Sequence, residues 1–425
     1  MTDSSHDALA HVTGLVCMVC GKTYAAAEAG YVCPDHGNEG ILDVRYDYEA
    51  IGLTFTRAAL RDNPDRTMWR YRPLMPIAAD APVPPLTVGG TPMYDAPRLA
   101  SDLGLAQVWV KDEGRQPTAS LKDRASAMAV VKAREVGAEV ITTASTGNAA
   151  AALSGLCASV GQANVIFVPA TAPEAKIAQL LSYGSTVALV DGTYTDAFEL
   201  CMEASAHYGW YNRNTGYNPY MTEGKKTAGL EILEHLDWEP PDAVFVSVGD
   251  GSIIGGVHKA TKDALQLGWT DRCPRIFGVQ AAGSDYLVQA FESGEDVLTK
   301  PAIAASTVAD SISADLPRDR IKAMKAVVET GGEYVRVSDD EILAAIPVLA
   351  RGSGVFAEPA AAAAYAGLVA AVDRGLVDAD DRVVVLSTGS GLKDVASAMK
   401  AVAMAKTEPM RIAPSLSALQ EALGH

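Results

Sequence analysis

The sequence predicts an α/β protein whose strands pair in parallel, and three observations carry that prediction. From Leu99 onward, short β-branched runs alternate with alanine-rich helical stretches. This is the pattern of strands joined by crossover helices that cover both faces of a sheet. Several of the runs end in glycine- or hydroxyl-rich turns that lead into a helical pattern, which is where such sheets place ligands. The length, 425 residues, allows two or three structural units and a large core.

In chain order, the N-terminus MTDSSHDALAHVTGLVCMVC lacks the basic-then-apolar pattern of a secretion signal. Cys17, Cys20, Cys33 and His36 then form C-x2-C, a gap of twelve residues, and C-x2-H. Two chelating knuckles at this spacing can place three thiolates and an imidazole around zinc. A metal-free hairpin with leftover cysteines is the alternative, and four protein ligands would make any zinc structural. The proline-rich stretch 70–94 reads as an extended connector, because prolines lack amide donors and restrict their neighbours. Strands are expected at Val108–Val110, Glu139–Thr142, Val165–Val168, Thr186–Val190, Ala243–Val248, Ile276–Gln280 and Val383–Leu386. Helical stretches between them include Ser126–Glu135, Lys176–Leu181 and Asp339–Ala350. GVFAEPAAAAAYAGLVAAV contains Glu358 and Pro359 and is mostly alanine, so it reads as a packed helix and not a bilayer span. A last short amphipathic helix, capped by Ser415, ends the chain.

Apolar residues make up 48% and charged residues 20%, an ordinary globular composition. The net charge of −17 repels phosphate backbones and anionic lipid, so neither nucleic acid nor membrane is an expected partner. Any anionic ligand must be caught by a built site. Six cysteines in a chain of this size are no disulfide scaffold, and the cytoplasm is the expected compartment.

Four segments carry the chemistry. In Gln116-Pro117-Thr118-Ala119-Ser120-Leu121-Lys122-Asp123-Arg124, a lysine between apolar and hydroxyl residues just before a helix can lose its proton by desolvation and form a Schiff base. Ser145-Thr146-Gly147-Asn148 follows a strand and opens a helix, offering small donors to a carboxylate or a ring hydroxyl. Gly249-Asp250-Gly251-Ser252-Ile253, also after a strand, can turn backbone amides around an anion. Ser387-Thr388-Gly389-Ser390 closes the last strand with hydroxyls where a ring nitrogen could be met. Each alone is equally a capped turn or a solvated charge. In this order, on this scaffold, they describe a pyridoxal-phosphate (PLP) site.

With PTASLKDRA, ASTGNAAAALSG, NPYMTEGKKTAGLEI, VSVGDGSIIGG, GVFAEPAAAAAYAGL and STGSGLKD in place, the chain resembles the threonine synthase branch of the fold-type II PLP enzymes, from about Cys17 to Asp394. The resemblance implies two parallel-sheet α/β domains with an N-terminal zinc-ribbon-like segment. It divides the chain into 12–48 (ribbon), 49–120 with 215–405 (large cofactor domain), 121–214 (small domain) and 406–425 (tail helix). It implies that Lys122 forms the Schiff base, that Asn148 bonds the cofactor's 3-hydroxyl, and that Gly249, Asp250, Gly251, Ser252 and Ile253 bind its 5′-phosphate. Thr388 would face the ring nitrogen, and Ser145, Thr146 and Gly147 would hold the substrate carboxylate. Cofactors would be PLP and a structural zinc; the partner is a small amino-acid substrate, and family members are often homodimers.

The positions expected to face substrate depart from the family pattern. Ala119 and Leu121 replace glycine and phenylalanine, Ala149 a threonine, Met221 an arginine and Ser390 a histidine, and the phosphate loop is in a G-D-G form. A dianionic phosphate ester needs charge-assisted partners, which Lys225, Arg124 or Arg213 would have to supply. The implied reaction is that of a threonine synthase, a carbon–oxygen lyase taking O-phospho-L-homoserine and water to L-threonine and phosphate, with Lys122 as general base and acid. The departures hold open a β-eliminating ammonia-lyase or β-replacing synthase acting on threonine, serine or a phosphorylated relative. A silent PLP-binding relative is disfavoured by the presence of Lys122, Asn148 and Thr388.

Overall fold

The computed structural model describes residues 9, 11–28 and 30–424. Its first sheet is antiparallel: β1 (Val12–Cys17), β2 (Thr23–Tyr24) and β3 (Leu42–Tyr46), in the order β2-β1-β3. The turn after β1 carries Cys20, and the segment between β2 and β3 carries Cys33 and His36. After it come β4 (Met93–Asp95), β5 (Gln107–Asp112), β6 (Val140–Ala144), β7 (Ala163–Pro169), β8 (Thr186–Val190), β9 (Tyr211–Asn212), β10 (Ala243–Ser247), β11 (Arg275–Ala281), β12 (Tyr334–Val337) and β13 (Arg382–Ser387). They form a six-stranded sheet, β12-β11-β10-β13-β5-β4, and a four-stranded one, β8-β7-β6-β9. All pairings in both are parallel except β4 with β5.

The large sheet is buried on both faces, and its strands are therefore nearly continuous apolar runs. Period-two alternation sends Phe245, Val383 and Val385 to a core shared with the helices Asp339–Ser353 and Pro359–Asp373. It sends Val244, Val246 and Val384 to a core with the helices Tyr220–His235, Ser252–Gln266 and Arg320–Val328. Alanine lets the helix Pro359–Asp373 lie close on the strands. All seven expected strands are present. The helix expected from Ser126 begins earlier, at Lys122, which is its first residue. Ser415 caps the last helix, its Oγ accepting from the Ala418 N–H at 3.2 Å. The proline-rich stretch is not extended throughout. Met68–Leu74 is a tight helix kinked at Tyr71 (φ −93°, ψ 18°) ahead of Pro73, and the stretch closes on β4. A short helix of this kind tolerates a proline that a long one would not. Among the described residues no helix is long and apolar enough to cross a membrane.

One buried ion cluster ties these parts together. Arg124, two residues beyond Lys122, is fully buried, and its guanidinium donates at 2.7 Å to both carboxylate oxygens of Glu113, just past β5. It donates at 2.7 Å to both oxygens of Glu231, on the helix Tyr220–His235. Lys111 of β5 donates to Glu231 at 2.6 Å. Burial alone would raise Glu113 and Glu231, yet the Arg124 guanidinium pulls both below the usual carboxylate range. Carboxylates depressed in this way lend stability above the unfolded-state value of ~4 and lose it as pH falls. Arg124→Met is expected to cost ~3–5 kcal/mol by stranding two buried carboxylates, read as a lowered urea midpoint at neutral pH. The wild-type midpoint should fall progressively below about pH 5, and the variant should show a shallower acid slope because part of that linkage is gone.

Candidate active site

A cavity of about 590 Å³ opens between the two parallel sheets, at the carboxyl ends of β6 and β10. Its wall brings together Lys122, the turn Ser145, Thr146, Gly147 and Asn148, and the loop Gly249, Asp250, Gly251, Ser252 and Ile253. Segments more than a hundred residues apart thus meet at one place. Thr388 does not reach the wall. It is buried, its carbonyl accepting at 2.9 Å from the N–H of Leu121, the residue before Lys122.

Each wall element follows from local chemistry. Gly251 caps the helix Ser252–Gln266 in the left-handed region (φ 93°), and a Cβ there would stand 2.7 Å from the Ala323 Cβ. At Gly249 a Cβ would lie 2.8 Å from the Ile312 Cα. Only glycine lets this loop turn its amides to the helix N-terminus, where the dipole favours an anion. Ser145 Oγ accepts from the Gly147 N–H at 3.2 Å, which shapes the turn that opens the helix Asn148–Val160. Asn148 donates from Nδ2 to Glu358 at 2.7 Å and to Ser311 at 3.4 Å. Lys122 is half-buried at the helix start, and burial in the cleft, reinforced by the Arg213 charge, pushes its ammonium below the ordinary lysine value. A shift in this direction favours the neutral, nucleophilic form of the amine.

The wall is rich in cations. Arg213 and Lys225 are each 1% exposed. Lys225 donates to Ser252 at 2.8 Å and Thr215 at 3.2 Å. Burial, with Lys122 and Arg213 nearby, drives it well below its ordinary value. Among the described residues, Ser247 Oγ and Arg213 Nη2 are buried without a partner. Asp250 is less hostile to phosphate than its position implies. Its Oδ1 accepts from the Arg318 N–H at 3.4 Å and its carbonyl from the Asp319 N–H at 2.8 Å. Burial also raises its carboxyl above the usual range. A phosphate-sized cradle at a helix N-terminus, a depressed lysine and unpaired donors fit PLP.

Several expected substrate-facing positions are not on the wall. Ala119 is left-handed (φ 65°), so the family's glycine there answers a backbone need and alanine accepts roughly 1 kcal/mol of strain. Leu121 and Met221 are fully buried in apolar cores. Ser390 caps the next short helix, accepting from the Leu392 N–H. Arg124, one of three cations expected to compensate for Met221, is spent on the carboxylate cluster. Ala149 and Asp250 do line the cavity. Sequence reasoning missed the wall segment 310–316 and the pairing of Glu358 with Asn148, which 210 residues separate. At the N-terminus, the ligand atoms of Cys17, Cys20, Cys33 and His36 lie within 4.8 Å of one another.

A reactive lysine, a carboxylate-type turn and a phosphate-type cradle, in a cleft between two parallel sheets, define the fold-type II class of PLP-dependent enzymes. The chain belongs to the pyridoxal-phosphate dependent enzyme family, whose pattern matches residues 85–389, and within it to the threonine synthase branch. It is 35% identical over 409 residues to the threonine synthase of Methanocaldococcus jannaschii, covering 96% of this chain and 98% of that one. It is 37% identical over 412 residues to the threonine synthase of Methanosarcina acetivorans, covering 96% and 98%. Among solved structures it is similar to a threonine deaminase isoform of Solanum lycopersicum (25% identity, TM-score 0.64, 74% of this chain and 88% of that one).

Burial pushes the Glu358 carboxyl up to about 7, against the pull of Lys393, Lys122 and the Asn148 amide. A carboxyl raised in the folded state is a cost that appears as pH rises from the unfolded value of ~4 through the folded one. Glu358→Gln keeps an acceptor for Asn148 and removes that cost. Its stability relative to wild type should grow by of order 1–3 kcal/mol between about pH 5 and pH 8, measured by chemical denaturation at each pH.

Proposed function

We propose that this enzyme is a cytoplasmic threonine synthase converting O-phospho-L-homoserine and water to L-threonine and phosphate. The observation that carries the reading is the cavity wall itself. It holds a depressed lysine, a carboxylate-type turn and an anion cradle served by Lys225, together with one further buried cation, Arg213, that a substrate without a second anionic group would leave unneutralised. The likeness to threonine synthases over nearly the whole chain supports the same reading.

When bound, PLP supplies an electron sink that acidifies the substrate's carbon–hydrogen bonds. Lys122 would attach the cofactor, and its freed amine would take one proton from Cα and one from Cβ, return one to Cγ after the Cγ–O bond to phosphate breaks, and return the other to Cα once the hydroxyl is in place at Cβ. Water adds at Cβ, so that the atoms of substrate and water are all found in threonine and phosphate. Ser145, Thr146 and Gly147 hold the α-carboxylate, which fixes the Cα–H bond toward the lysine. Asn148, oriented by Glu358, would hold the ring's 3-oxygen, and Gly249–Ile253 with Lys225 would hold the 5′-phosphate. Thr388 braces the lysine's segment through its carbonyl, which accepts from the Leu121 N–H. Ala149, which offers no hydroxyl on the wall, favours the second reading of a β-eliminating lyase or β-replacing synthase on threonine, serine or a phosphorylated relative. We also propose that Cys17, Cys20, Cys33 and His36 hold a structural zinc, the donor set being that of a closed tetrahedral site.

The PLP-loaded protein with O-phospho-L-homoserine should yield threonine and phosphate in equal amounts by NMR, and Lys122→Ala should lose at least ~10³-fold in rate. 2-Oxobutanoate with phosphate would mean γ-elimination without productive water addition, and no reaction from a protein that holds its cofactor would turn the assignment to the second reading. Metal analysis should find one zinc per chain in the purified protein. Its removal by chelation, or Cys33→Ser, should lower thermal stability while the α/β body keeps its helical circular dichroism.

A further inference from the structure

The loss of the family's arginine at Met221 leaves open which group takes the substrate's phosphate. Four cations besides Lys122 stand on or near the cavity wall, and they differ in what holds them. Lys225 serves the cradle through Ser252. Lys322 donates to Thr222 at 3.3 Å and is not on the wall. Arg318 is on the wall and lies over the Phe198 ring, 4.9 Å from its centre, but among the described residues no hydrogen bond fixes the orientation of its guanidinium. Arg213 is different. Its Nε donates to Ser126 Oγ and its Nη1 to Thr215 Oγ1, each at 3.2 Å, so the plane of the guanidinium is set. Its Nη2 is buried and has no partner among the described residues. Asn214, next in sequence, accepts from Thr143 Oγ1 at 2.8 Å and the Ala144 N–H at 3.0 Å, which ties Arg213 to the carboxyl end of β6. The acidic groups on the far wall are turned to other work: Asp310 pairs with Lys176 at 2.6 Å, and Asp315 accepts from the Ala305 N–H at 2.8 Å.

We propose that Arg213 is the specificity-determining residue that grips the phosphate of the leaving group, in the place of the arginine that Met221 replaces. The inference rests on the threonine synthase reading. The cofactor phosphate has its own cradle at Gly249–Ile253 and the carboxylate its own turn at Ser145–Gly147. Of the wall's two unpaired buried donors, Ser247 Oγ and Arg213 Nη2, only the second carries charge, on a guanidinium whose planar fork suits a phosphate monoester. Burial lowers the Arg213 guanidinium to about 10, so it stays charged at neutral pH. A buried cation without a counter-ion is costly until an anion arrives. The site is therefore poised for a phosphorylated substrate and poorly suited to an uncharged leaving group.

The test titrates PLP-loaded wild type, Arg213→Met and Arg213→Lys with inorganic phosphate by calorimetry, the cofactor keeping its own cradle filled. Phosphate should bind the wild type, bind Arg213→Met at least ~10-fold more weakly and bind Arg213→Lys in between. The cofactor's absorbance spectrum should be the same in all three. With O-phospho-L-homoserine, Arg213→Met should lose ~100-fold or more in kcat/KM, whereas turnover of L-threonine or L-serine should fall far less. If Arg213→Met does not fold, Arg213→Gln, which can still bond Ser126 and Thr215, carries the same comparison. Equal phosphate affinity in wild type and variant, no phosphate binding by wild type, a shifted cofactor spectrum, or an equal loss on phosphate-free amino acids would each overturn the assignment. A wild type that binds phosphate but makes no threonine would sink the functional reading alone, and the phosphate titration would still decide Arg213.

Discussion

The position of Lys122 depends on the carboxylate cluster around Arg124. A lysine at the first turn of a helix is only as well placed as that helix, and Arg124 locks the helix to the end of β5 and to the helix Tyr220–His235 at once. The cluster holds two carboxylates against two cations, so it is close to neutral as a unit, and its hydrogen bonds are largely filled. Such a unit is a weak source of net stability, since its desolvation cost is large. It penalises any other arrangement heavily, because an incomplete set strands a buried charge. Its worth here is in fixing one geometry at the base of the cleft.

The cavity wall follows the opposite rule. Lys122, Lys225 and Arg213 crowd together with few counter-charges, and burial pushes all three below their ordinary values. The protein tolerates this because rigid neighbours hold them: Ser252 and Thr215 on Lys225, Ser126 and Thr215 on Arg213. Ligand phosphates are natural counter-ions for such a wall, so binding should relieve a cost already present in the fold. The closed cluster below gives rigidity, and the unbalanced wall above gives affinity for anions.

Departures from a family pattern mean different things at different depths. Ala119 and Leu121 looked like substrate positions because they flank the lysine, yet one answers to a left-handed backbone and the other to a core. Met221 also sits in a core, so its change alters packing first. Among these departures, Ala149 and the Asp250–Gly251 pair of the phosphate loop touch the cavity. Spacing along the chain could not separate these cases, since adjacent residues at a helix start point in different directions. The pairing of Asn148 with Glu358 was equally hidden, because a lone glutamate before an alanine-rich helix carries no sign of a distant partner.

The sequence by itself determined the fold class, the seven strands expected of it, the cofactor-type segments and the spacing of Cys17, Cys20, Cys33 and His36. These are local properties: side-chain period sets strand and helix, glycine and hydroxyl residues set turns, and both act within a few residues. Only the tertiary structure decided which charges are spent and which remain free. Arg124 and Arg213 read alike as arginines near the expected site, but one is closed in by Glu113 and Glu231 and the other keeps an unpaired donor. Their difference lies in contacts across more than a hundred residues of chain, for Arg124 to Glu231, and helix register and burial, not composition, set such contacts.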